Sequence, residues 1–210
     1  AIKRIRADLE AQGVFHLALT GGEIGTLISE QLVAIWNRNP SEFTGLHIWW
    51  GDERFLPEMS EDRNAHPVVQ YLQSGGAIHI HEAPSSDMTI DLDTAAREYR
   101  AEIAGIAMDL SLLGVGPDGH VASLFPGHWS RSETTDVVAV HDSPKPPTAR
   151  VTFSMAKINA SKSIWLLAAG ENKQDAVIEI FARDKAIPVS FVHGTDETLL
   201  FLDRAANPTQ

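Results

Sequence analysis

Apolar runs of strand length alternate along the chain with segments of helical period. Ile2, Ile5 and Leu9 share one helical face. Val14 to Leu19 predicts a strand that ends at Thr20-Gly21-Gly22, and Ile24 to Trp36 a helix with Leu27, Ile28, Leu32 and Ile35 inward. Leu46 to Trp50 is a second predicted strand, closed by Gly51-Asp52-Glu53-Arg54. Glu61 to Leu72 reads as helix and Ala77 to His81 as a short strand. A helix over Leu92 to Ile106 leads to a strand over Met108 to Val115 and then a glycine-rich stretch. Val137 to His141 is extended. Ser143-Pro-Lys-Pro-Pro147 cannot be helical, because its prolines remove donors and fix φ. Ser163 to Ala169, Asn172 to Ala182 and Thr198 to Leu202 complete the pattern as strand, helix and strand.

Alternation of this kind predicts an α/β fold, Rossmann-like, with a mostly parallel sheet and helices on both faces. No repeat or linker interrupts it, so residues 1–210 read as a single domain. In such sheets ligands lie beyond the carboxyl ends of the strands. Three polar clusters fall there: Thr20-Gly21-Gly22, Gly51-Asp-Glu-Arg54 and Gly116-Pro-Asp-Gly-His120.

Gly21-Gly22 lets a ligand approach the backbone where a helix begins, and free N–H groups there suit a phosphate. The plain alternative is a tight turn that needs positive φ. Asp52 is a candidate for orienting or proton handling and Arg54 for anion binding, against the alternative of a solvated charge run. Within Gly114 to Gly127, Asp118 and His120 stand two apart, on one side of an extended chain. A histidine serves as base and then acid near neutral pH, and a neighbouring carboxylate holds its tautomer. Asp118 also fits a helix N-cap. Ser123 lacks the Gly-x-Ser-x-Gly context of a nucleophile. His79-Ile-His81 with Glu82 has the spacing of metal ligands on a strand but no third partner, so no metal site is expected. Arg150 and Lys173 are cations near glycine loops and hence candidate phosphate ligands.

The 210 residues carry a formal net charge of -11, which disfavours nucleic acid and anionic membranes as partners. No apolar run approaches the ~20 residues of a membrane helix. Cysteine is absent, which excludes disulfides, thiolate metal sites and a cysteine nucleophile, and fits the cytoplasm.

Met108-Asp-Leu-Ser-Leu-Leu-Gly-Val-Gly-Pro-Asp-Gly-His-Val-Ala-Ser-Leu-Phe-Pro-Gly127 closely resembles the corresponding segment of the 6-phosphogluconolactonases. Leu19-Thr-Gly-Gly22, Trp50-Gly-Asp-Glu-Arg-Phe-Leu-Pro57 with Ser60 and Asn64, Ser143 to Pro147 with Arg150-Val-Thr152, Ala169-Gly-Glu-Asn-Lys173 and Phe201 to Ala206 extend the resemblance over nearly the whole chain. The resemblance implies a fold shared with glucosamine-6-phosphate deaminases and ribose-5-phosphate isomerases. It implies hydrolysis of 6-phospho-D-glucono-1,5-lactone, the second step of the oxidative pentose phosphate pathway, without metal or organic cofactor. His120 falls on the catalytic histidine; Gly21, Gly22, Arg150 and Lys173 fall on phosphate-binding positions, with Arg54 a further anion contact. Asp52 and Asp118 match acidic positions. A monomer is expected, with a dimer as the alternative. Two departures stand out. Glu23-Ile24-Gly25 follows the glycines where relatives often have a polar residue, Thr and Pro, and an acidic Glu23 beside a phosphate site is unexpected; the strand that usually precedes the first helix is missing. A deaminase-like isomerase is the rival, but it carries a glutamate after Asp-Gly-His, where Val121-Ala-Ser-Leu-Phe-Pro126 has none. A non-catalytic sugar-phosphate sensor is the other alternative, and the helix-turn-helix such proteins carry is not found in these residues.

Overall fold

The computed structural model describes residues 1–73, 75–183 and 186–209. Its main sheet has six strands: β1 (Phe15–Leu19), β2 (Leu46–Trp50), β4 (Ile78–Ile80), β5 (Leu110–Gly114), β8 (Ser163–Ala168) and β9 (Glu197–Leu202). All are parallel, in the order β4-β2-β1-β5-β8-β9. The central strands read as near-continuous apolar runs because both faces of the sheet are covered. Alternation sends Phe15, Leu17 and Leu19 to one face, against α1 (Ile2–Gln12), α2 (Gly22–Arg38) and α3 (His66–Val69). Ala18, Trp49 and Leu113 go to the other, against α4 (Leu92–Glu102), α5 (Met155–Asn159) and α6 (Gln174–Ala182). The expected α/β architecture is therefore present.

A second sheet was not foreseen. β3 (Asp52–Arg54), β7 (Arg150–Phe153) and β6 (Val137–Val140) pair antiparallel in the order β3-β7-β6. The charged cluster Asp52-Glu53-Arg54 is thus a strand rather than a loop. Three charged residues give no apolar alternation from which a strand could be read.

The helix expected over Glu61 to Leu72 shrinks to the four residues of α3. The amides of Asn64 and Ala65 donate to the Glu53 carboxylate at 2.6 and 2.9 Å. Glu53 also accepts from the amide of Arg54 at 2.7 Å and lies 3.8 Å from the Arg63 guanidinium. Hydrogen bonds to a charged group contribute about 1.5–3 kcal/mol each, which decides the contest against one more helical turn.

At the amino ends of the strands, away from the glycine loops, His16, His47 and His79 stand in register on β1, β2 and β4. Asp109 extends the row, accepting from the His16 amide at 2.8 Å and from Lys162 Nζ at 2.7 Å. His81 joins through His47, with nitrogens 2.8 Å apart, and stacks on Trp49 at 3.8 Å. Its other nitrogen meets Glu102 at 2.6 Å. Among the described residues no three His, Asp or Glu groups are disposed to hold a metal ion. Burial, then repulsion from His16, His79 and His81, pushes the His47 imidazole down to about 4. An unfolded chain returns it to about 6.5. Between those values the native state binds fewer protons, so the stability from this group is complete above the unfolded value and is lost as pH falls. The urea midpoint should drop more between about pH 7.5 and about pH 5 in the wild type than in His47→Gln. Equal drops would exclude His47 as a source of acid sensitivity.

Candidate active site

The direction of strand progression reverses between β1 and β5, and a cleft opens at their carboxyl ends, as expected for a switch point. Its volume is about 740 Å³. The Gly114 amide donates to Thr20 Oγ1 at 3.0 Å and ties the two glycine loops together. Gly21, Gly22, Asp52, Arg54, His120, Arg150 and Lys173 all line the cleft.

The loop after β5 folds back on itself. The Gly116 amide donates to the His120 carbonyl at 2.9 Å and the Gly119 amide to the Gly116 carbonyl at 3.0 Å. Gly119 has φ +72, which only glycine adopts cheaply. The His120 ring rests 4.5 Å from Phe125, and its Nδ1 is 2.5 Å from Asp118 Oδ1. The side chain of His120 is 17% exposed, so Nε2 is the nitrogen left for a ligand. A side chain on Gly116 would put its Cβ 1.9 Å from His120 Nδ1, so the glycine makes room for the ring. Burial pushes the His120 imidazole below its usual value despite Asp118, with Lys145 adding to the shift. It is therefore neutral, and a competent base, at pH 7. Burial raises Asp118, but the hydrogen bond from His120 and the nearby Lys145 outweigh it and hold the carboxyl below the usual range.

Asp52 is held by other partners, although its charge still acts on His120 and favours the charged ring. It is buried, accepts from Ser123 Oγ at 2.6 Å and from Asn64 Nδ2 at 3.1 Å, and lies 3.7 Å from Arg150. Arg150 donates to the carbonyls of Pro147 and Lys145, both at 2.9 Å. Its Nε and Nη2 donors are taken by the proline loop, while Nη1 lies toward Asp52 in the cleft. Arg54 Nη1 donates to the Asp62 carbonyl.

Two residues of the cleft fall within the resemblance but are given no role by the sequence. Lys145 Nζ reaches within 3.4 Å of His120 Nδ1 and 3.5 Å of Asp118. Its signal was a cation caged by prolines in an acidic chain. Asn64 packs over Gly21, whose Cβ would meet the amide oxygen at 1.8 Å. Lys173 is half-buried; burial and then Lys145 lower its pKa, while Asp118 and Glu23 oppose that. Glu23 thus shares the cleft with the cations.

The model for glucosamine-6-phosphate isomerases and 6-phosphogluconolactonase matches residues 1–201. The chain belongs to that family. It is 37% identical to a 6-phosphogluconolactonase of Streptomyces coelicolor, over 93% of this chain and 82% of the relative. Identity to the 6-phosphogluconolactonase of Mycobacterium tuberculosis is 36%, over 96% and 87%. The solved 6-phosphogluconolactonase of Thermotoga maritima superposes with a TM-score of 0.82 at 27% identity, covering 96% of this chain and 91% of that one. A monomeric glucosamine-6-phosphate deaminase, at 24% identity and a TM-score of 0.77, shares the fold. The resemblance read from the sequence is therefore borne out. No helix among the described residues is long and apolar enough to cross a membrane.

Proposed function

We propose that this chain hydrolyses 6-phospho-D-glucono-1,5-lactone to 6-phosphogluconate, with His120 as the base. The observation that carries the reading is a neutral, carboxylate-anchored imidazole opening onto a cleft that also holds two close lysines. Asp118 keeps the proton on Nδ1, which leaves the lone pair on Nε2. Water attacks the lactone carbonyl carbon and gives its proton to Nε2. The tetrahedral intermediate collapses, the bond from that carbon to the ring oxygen breaks, and the imidazolium returns the proton to the ring oxygen. Asp118 stabilises the charged ring meanwhile. Backbone amides of the glycine-rich loop that carries His120 hold the oxyanion, and Arg54 contributes to substrate binding.

Lys145 and Lys173 share one cleft, Lys145 disfavours the charge on Lys173, and a phosphate dianion relieves that. The Gly21 and Gly22 amides at the start of α2 complete that end. Arg150 acts through the loop it holds, fixing Lys145. Asp52 braces the floor through Ser123 and Asn64. Remote phosphate binding then positions the lactone over His120.

The test is lactone consumption above the spontaneous rate, run beside ammonia release from glucosamine 6-phosphate. The first is expected and not the second. Ammonia release without lactone hydrolysis would assign the site to the isomerase branch.

A further inference from the structure

Asp52 and Arg54 line the cleft, but Glu53 between them does not. Strand alternation turns its carboxylate inward, where the residue is 1% exposed. There it binds the amides of Arg54, Asn64 and Ala65 and faces Arg63. Arg63 is itself 2% exposed and donates to the Ala83 carbonyl at 2.7 Å, which ties the 60–65 turn to the segment after β4. Burial pushes the Glu53 carboxyl up to about 7, against the pull of Arg63 and the three amides. A buried ion pair of this kind rarely contributes more stability than apolar residues of the same volume; its better-attested use is to fix one arrangement among several.

The arrangement fixed here leads into the cleft. With its amide held by Glu53, Asn64 extends its side chain to the Asp52 carbonyl at 2.8 Å and covers Gly21. The same turn offers the Asp62 carbonyl to Arg54. Glu53 thus ties β3 to the 60–65 turn, whose Asn64 covers the first glycine loop, without itself lining the cleft.

We propose that Glu53 is a positioning residue of the lactonase reaction, setting substrate affinity through Asn64, Arg54 and the Gly21-Gly22 loop. The inference rests on the functional reading above. His120 and Asp118 are carried by a different loop, so the chemical step is left largely intact.

Glu53→Gln keeps the size but replaces one acceptor with a donor that meets the Ala65 amide. KM for the lactone is expected to rise roughly tenfold or more, as one displaced charge-assisted contact to the ligand would give. Affinity for 6-phosphogluconate should fall in parallel, while kcat changes by no more than a few-fold. A residue that only supports the fold would lower Tm and leave KM unchanged well below Tm; that result overturns the proposal, as does a fall in kcat alone. If Glu53→Gln does not fold, Asn64→Ser removes the side chain that Glu53 places and leaves the buried pair. A wild-type KM in that variant overturns the proposal equally. A wild-type protein inactive on the lactone would sink the functional reading instead. Calorimetry with 6-phosphogluconate on wild type and variant then decides the positioning role, and failure of both proteins to bind overturns it as well.

Discussion

Replacing His120 with alanine is expected to lower kcat by roughly 10²–10⁴-fold, the usual contribution of a positioned general base. The ring is the group whose Nδ1 is anchored and whose Nε2 is left for water, and its burial keeps it neutral at pH 7. Asp118 is held below the usual carboxylate range, which makes it a poor base. It does not replace an imidazole in returning a proton to the ring oxygen. KM should move little, because the phosphate end is built from other segments. The lactone also opens without enzyme, so initial rates must be taken as the excess over buffer. A His120→Ala protein with near wild-type excess rate would remove His120 from the reaction.

Gly116→Ala should inactivate almost as thoroughly without replacing a reacting group. The new Cβ would lie 1.9 Å from His120 Nδ1 and 2.7 Å from Asp118 Oδ1. The backbone at 116 cannot retreat easily, since its amide and its carbonyl are both bonded within the loop. The side chains must yield, and both members of the pair are the ones displaced. Misplacing a catalytic group by about 1 Å can cost on the order of 10²-fold, so a loss of at least that size in kcat is expected. Position 116 is not left-handed, so alanine brings no backbone strain of its own and Tm should shift only modestly. An active Gly116→Ala enzyme would mean that the imidazole works from another rotamer.

What the chain disclosed and what it hid have separate physical causes. β1, β2, β5 and β8 were legible because strands buried on both faces have little choice but to be apolar. β3 was not, because Asp52, Glu53 and Arg54 are held by partners distant in the chain. Helix 61–72 was misread for the same reason: a carboxylate at 53 takes amides that local periodicity assigns to a helix. In the cleft, His120 was visible from its glycine surroundings. The choice between Asp118 and Asp52 beside it depended on a distance that only folding sets, and the ring lies against Asp118. Lys145 was hidden in plain view, since its prolines speak first about backbone shape. The histidine row was out of reach, because register between parallel strands leaves no mark on either strand alone.

The imidazole and its carboxylate occupy three residues of one loop, whereas the groups proposed to hold the phosphate come from residues 21–22, 145 and 173, elsewhere along the cleft. Chemistry and recognition are therefore inherited on separate stretches of the gene. On the proposed roles, substitutions after His120 are expected to alter the reaction while leaving phosphate binding in place. That expectation fits a single family description that embraces both isomerases and lactonases.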